Sequence, residues 1–185
     1  NPQFSFSTIL TGGIRDRDAE LLAEYKNEKG KTGVLLGVNA RPLVGGRGKG
    51  DGLAFTLIPE EPIIAFRKFH FNEDHNWIYL HKNMRVYANV DMWDDEGMGF
   101  RVHSVQGDTV SLQNIDVEIR RIRLDEITSV LPYFPEITGL FSAEAHYIQT
   151  EKDLQLSAEA SIDELTYERQ RIGDITLGAT WLPGE

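Results

Sequence analysis

Apolar and polar side chains alternate along most of this chain with a period of two, which is the pattern of strands whose successive residues face opposite sides of a sheet. In KTGVLLGVNARPL the apolar positions are Val34, Leu36, Val38 and Ala40. In NMRVYANVDMW they are Met84, Val86, Ala88, Val90 and Met92, with Arg85, Tyr87, Asn89 and Asp91 between them. GLFSAEAHYIQ sets Phe141, Ala143, Ala145 and Tyr147 against Ser142, Glu144 and His146. LQLSAEASI places Leu154, Leu156, Ala158, Ala160 and Ile162 on one side, and GDITLGATW does the same with Ile175, Leu177, Ala179 and Trp181.

Turn signals separate these runs at Gly12-Gly13, Asn27 to Gly30, Gly45 to Gly52, Asn72 to Asn76, Asp94 to Gly97, Gly107-Asp108, Glu151 to Asp153 and Arg169 to Arg171. Their spacing of about 10–15 residues predicts consecutive antiparallel hairpins. AELLAEY is rich in helix formers, yet Ala19, Leu21, Ala23 and Tyr25 alternate, which predicts another strand. One short helix is expected over about 125–131, ahead of Pro132 and Pro135.

In TVSLQNIDVEIRRIRL the apolar register runs through Val110 and Leu112, shifts to Ile115, Val117 and Ile119, and shifts again to Ile122 and Leu124. A one-residue slip turns every side chain to the other face, so these shifts predict bulges and a curved sheet. The predicted fold class is therefore all-β, an elongated, curved antiparallel sheet with one short helix, spanning 1–185 as a single unit. Pattern alone fits two arrangements: a sandwich whose apolar faces pack on each other, and one open sheet whose apolar face forms a groove.

Composition narrows the function. The chain has 185 residues, with 29 acidic and 19 basic side chains and a net charge of -10, so clustered cations for a phosphate backbone are lacking and nucleic acid is not an expected partner. Aromatic and aliphatic residues run through its whole length, unlike a disordered tail, and no apolar run reaches the roughly 18–20 residues of a membrane-spanning helix. There is no cysteine, which removes disulfides, thiolate metal sites and thiol nucleophiles and is compatible with an oxidising compartment.

Recognisable catalytic chemistry is absent. GGRGKGDG at 45–52 departs from a phosphate-binding loop because Leu43 stands where that motif has its first glycine and Gly50 where it has Ser or Thr; a glycine-rich hairpin tip or linker is expected instead. The acidic group Asp91, Asp94, Asp95 and Glu96 lacks the spacing of a calcium loop and reads as a solvated turn. His70, His75, His81, His103 and His146 fall on different predicted strands and loops without a metal-ligand spacing, and no GxSxG is present. An enzyme, a cofactor and a metal are therefore not expected.

The C-terminal string ITSVLPYFPEITGLFSAEAHYIQTEKDLQLSAEASIDELTYERQRIGDITLGATWLPGE carries a short helix with LP and FP, an E-I-T-G step, an alternating strand with Ala and Tyr, a strand ending in LTYE, and a glycine-led strand closing in WLP. In these features it resembles the C-terminal region of the TamB family and its AsmA-like relatives of the Gram-negative envelope. EPIIAFRKFHFNEDHNWIYLHKNMRVYANVDM is similar to the repeat unit that precedes it there, so the resemblance covers roughly residues 52 to 185. It implies a long periplasmic parent anchored in the inner membrane, folded as a taco-like trough with an apolar lining. It further implies phospholipid acyl chains and an outer-membrane barrel protein of the TamA type as partners, in lipid movement between membranes or outer-membrane protein assembly.

On that reading the lining of the trough is Val86, Ala88, Val90, Phe141, Ala143, Ala145, Leu154, Leu156, Ala158, Ile175, Leu177 and Ala179. Shielding acyl chains needs apolarity and shape more than polar hot spots, since each exposed CH₂ costs about 0.8 kcal/mol in water. The alternative is an extracellular β-sandwich that recognises polysaccharide or protein through an aromatic platform of Trp77, Tyr79, Trp93 and Trp181.

Overall fold

A computed structural model describes residues 3–11, 18–43, 51–72, 76–128 and 134–183. Every long alternating segment is a strand. In chain order they are β1 (Gln3–Thr11), β2 (Asp18–Lys26), β3 (Thr32–Leu43), β4 (Gly52–Ile64), β5 (Arg67–Lys68), β6 (His70–Phe71), β7 (Trp77–His81) and β8 (Val86–Trp93). β9 (Gly99–Ser104) and β10 (Gln113–Arg123) follow, then helix α1 (Leu124–Thr128), β11 (Ile137–Gln149), β12 (Leu154–Tyr167) and β13 (Gln170–Trp181). AELLAEY lies in β2, as its alternation predicts.

All thirteen strands join one antiparallel sheet in the order β1-β2-β3-β4-β7-β8-β9-β10-β11-β12-β13, with β5 beside β4 and β6 beside β8. Neighbours in space are thus neighbours in sequence, the outcome expected of a chain of hairpins. The fold is all-β, one open curved sheet with a single short helix among the described residues. It is not a sandwich. Its accessible surface is 12488 Å², against about 9000 Å² expected for a compact chain of this mass, as suits an open sheet.

Curvature has a local cause. The register slips between Ile119 and Ile122 on β10, between Thr138 and Leu140 on β11, and between Ile162 and Leu165 on β12. Arg121 and Glu164 adopt positive φ there, with Gly139 at +141° opposite the β12 bulge. The extra residues are on β10 and β12, on either side of β11, and bulges of this kind bend the strands that carry them. The second parity shift of the sequence is this β10 bulge. The first falls outside the strand: β10 starts at Gln113, and Val110 and Leu112 belong to the preceding turn. That turn is tied by Asp108, whose Oδ1 accepts the amides of Val110 and Ser111 at 2.9 Å each and whose Oδ2 accepts from Asn114 Nδ2 at 2.6 Å.

Other boundaries also move. Met84 is exposed in a positive-φ turn, so its strand begins at Val86. The final hairpin turns at Glu168 and Arg169, one residue ahead of the Arg169–Arg171 signal. The helix starts at Leu124 rather than residue 125; the expected 129–131 lies outside the described residues. Most of the expected glycine-rich tip, residues 44–50, also lies outside them, between the paired positions Leu43 and Gly52.

Among the described residues one closed core cluster forms, where β6 meets β8 and the turn into β9. Phe69, Phe71, Met92 and Met98 are buried together, with Ile64, Phe100 and Ile122 packed against them. The chain reaches this cluster by turning at Ala65 and Phe66, and Phe69 is held by its amide on the Pro62 carbonyl at 2.8 Å. Arg67 fastens the same corner, donating to Asp94 at 3.1 Å, pairing with Glu96 at 2.9 Å and forking onto Glu126 of α1. Asp94 is therefore not a solvated turn residue as the sequence suggests. It is buried, and its Oδ1 accepts the amides of Glu96 and Met98 at 2.9 and 2.8 Å.

Candidate functional site

Direct cross-strand partners share a face of a sheet, so the register decides which side chains line one surface. Phe141, Ile162 and Ile175 form one row across β11, β12 and β13; Ala143, Ala160 and Leu177 form the next. Ala145, Ala158 and Ala179 form a third, and Tyr147, Leu156 and Trp181 a fourth. These rows continue through β10 at Ile122, Ile119, Val117 and Ile115. The third then reaches Val102 on β9 and Val90 on β8.

The same face extends into the first half of the chain. Val86 lies opposite Leu80, which faces Leu53; Ala88 lies opposite Ile78, which faces Phe55 and then Ala40 and Ala19. Leu57, Val38 and Leu21 follow the same parity. All twelve residues proposed from the sequence stand on this one surface, and the hydrophobic members come from ten neighbouring strands. Sequence reasoning left out Ala160, Ile162, Tyr147 and Trp181 although their alternation had marked them. Val102, Val117, Ile119, Ile78 and Leu80 were also missed, because only pairing shows that they extend the same rows.

Openness varies over the face. Leu177 is 67% exposed, Leu154, Leu21 and Leu53 are also exposed, and Ala179 joins them at the edge. Val86, Phe141, Ala143, Ala145, Leu156, Ala158 and Ile175 are half-buried. Ala88 and Val90 are 3% exposed each, closed against their strand neighbours beside the Phe69–Met98 core. Those two are packing residues, so the accessible surface lies on either side of them.

The opposite face is polar. His103, Asp116, His146 and Ser157 form one cross-strand row, and Arg101, Glu118, Glu144 and Glu159 the row beside it. Together they line a shallow depression of about 450 Å³. Asp116 Oδ1 lies 2.5 Å from His146 Nδ1, and its Oδ2 lies 3.9 Å from His103 Nδ1. The histidines looked scattered in the sequence, and the register brings two of them to one carboxylate. Even so, among the described residues no group of three or more His, Asp or Glu is placed to hold a metal ion.

The aromatic platform of the alternative reading does not assemble. Trp77 and Tyr79 stack on each other on the polar face, with ring centroids 4.3 Å apart, and Trp93 sits farther along that face beside His70. Trp181 is on the apolar face, in the Tyr147 row.

The geometry defines a class, a single-layer antiparallel sheet with one apolar and one charged surface. Comparison with family models, with curated proteins and with solved structures gives no match for this chain.

Proposed function

We propose that the chain is a TamB-like periplasmic segment that shields phospholipid acyl chains on its apolar face, serving lipid movement between membranes or outer-membrane protein assembly together with a barrel partner of the TamA type. The observation that carries this reading is the set of apolar rows aligned on one face of an open sheet, accessible on either side of the closed Ala88 and Val90. A face of this kind is a large exposed hydrophobic patch, which soluble monomers seldom leave without a ligand or partner of matching character. The rows run across the strands, so a chain lying along them meets one similar side chain after another. Burial and dispersion are non-directional, and such a surface holds an alkyl chain without fixing its register.

Charge distribution supports the same assignment. Glutamates and histidines occupy the other side, which keeps one surface solvated while the first stays apolar. The test is site-specific photocrosslinking to a phospholipid bearing a diazirine in its acyl chain. Probes at Leu156 and Leu177 should label, whereas probes at Ser157 and Glu159 should not. Equal labelling on both faces would overturn the assignment.

A further inference from the structure

Across β10 to β13 the polar side chains of the apolar face are all gathered at one margin. Three of the rows hold only Ala, Val, Leu, Ile and Phe. The fourth, through Ile115, Tyr147, Leu156 and Trp181, brings a hydroxyl and an indole N–H, and the row beyond it pairs Gln113 with Gln149 and Gln149 with Leu154. At the opposite margin, Phe141, Ile162 and Ile175 offer no hydrogen-bonding side chain.

Hydrogen bonding makes this margin a surface of donors. Tyr147 donates its hydroxyl proton to Gln149 Oε1 at 2.8 Å. The amide hydrogens of Gln149, the side-chain amide of Gln113 and the indole N–H of Trp181 have no partner among the described residues. None of these rows contains a charged side chain, and the adjoining turn sets Lys152 between Glu151 and Asp153, so no cationic patch stands there to hold a phosphate.

We propose that the Gln113–Gln149 margin binds the ester carbonyls of a glycerolipid whose chains lie on the rows of Ala145 and Ala143 beside it. The proposal rests on the acyl-shielding reading above and gives the bound lipid an orientation and a class: an ester-linked lipid recognised at its glycerol end, whatever the charge of its headgroup. An ester carbonyl accepts and cannot donate, which is what unpartnered N–H groups need. Hydrocarbon laid over those groups strips their water without replacing it, and that loss exceeds the gain of an ordinary hydrogen bond. Tyr147 and Trp181 suit the boundary, because each has an apolar body and one polar tip. The headgroup then leaves past Gln113 and Gln149 into water while the chains run inward.

The probes are two short-chain phosphatidylcholines, below their micellar concentration, with identical chains joined by ester bonds in one and ether bonds in the other. The ester lipid should bind the 185-residue chain about two- to tenfold more tightly, the range of one ordinary hydrogen bond. Gln113→Leu with Gln149→Leu should remove most of that difference while the ether lipid binds at least as well as before. Trp181 reports position independently. With Trp77→Phe and Trp93→Phe it is the sole tryptophan, and a nitroxide placed near the ester end of the acyl chain should quench it more than one near the methyl end. If the leucine pair folds poorly by circular dichroism, the ester-to-ether ratio of the unaltered chain and the quenching decide. Equal affinity for the two lipids, or stronger quenching from the methyl end, overturns the orientation and leaves acyl shielding standing. Failure of both lipids to bind overturns the two together.

Discussion

Arg120 on β10 reaches over Gly99 of β9 to Asp91 on β8, with Nη2 2.7 Å from Oδ1. The bridge joins two strands that are not neighbours, on the polar side of the bend. It requires Gly99: a Cβ there would lie 2.3 Å from the Met92 carbonyl oxygen and 3.0 Å from Arg120 Nη2.

Gly99→Ala is therefore expected to destabilise the protein by about 1–3 kcal/mol, because backbone must move to make room. Arg120→Ala removes a partly exposed ion pair and should cost about 1 kcal/mol or less. Urea midpoints of the two variants measure the difference, and equal losses would show that the crossing is not tight.

Asp94 joins the β8–β9 turn to Arg67 from a buried position. Asp94→Ala leaves the amides of Glu96 and Met98 without their acceptor and Arg67 without one of its carboxylates. The expected loss is roughly 2–4 kcal/mol, read as a lowered urea midpoint, with the Phe69–Met98 core loosened first in hydrogen exchange.

Burial separates two positions that look alike in the sequence. Val90→Ala should cost roughly 1–2 kcal/mol from the lost methyl groups and the space they leave. Leu177→Glu, at an exposed position, should change stability by about 0.5 kcal/mol or less while abolishing acyl-probe labelling at its cross-strand neighbour Ala160. Paired thermal melts and crosslinking yields check both expectations, and a Leu177→Glu variant that labels normally would separate the apolar face from lipid binding.

Acid should loosen the turn ahead of β10. Four hydrogen-bonding contributions from Asn114, Ser111 and Val110 hold the Asp108 carboxyl well below the ordinary carboxylate range. A depressed folded-state value means that this contribution is present above the unfolded carboxylate range and is lost as pH falls through and below it. Exchange protection of the Val110 and Ser111 amides should decline over that window and become insensitive to it in Asp108→Asn.

Alternation alone carried the strands, because the side-chain period of a strand is a property of the local chain. Within each strand it grouped the apolar positions by parity, and the register then puts the twelve of them, spread over β8 and β11 to β13, on one face. The parity slip at Ile119–Ile122 also marked the bulge, since an added residue must turn the pattern over. What the pattern could not carry was exposure: Ala88 and Ala158 have the same alternating surroundings, yet one is closed and the other half-open. The difference depends on where each strand sits in the sheet, with Ala88 on the central β8 and Ala158 on β12, one strand from β13.

The sequence by itself determined an all-β chain of hairpins with a greasy side and a charged side to each ribbon, because these follow from the two-residue repeat and from turns only a few residues long. Tertiary structure decided that the ribbons form one layer instead of two, that His103 and His146 meet at Asp116, and that the apolar rows line up across the sheet. Those outcomes depend on register between strands and on which surface is left uncovered, and both are set by contacts between residues far apart along the chain.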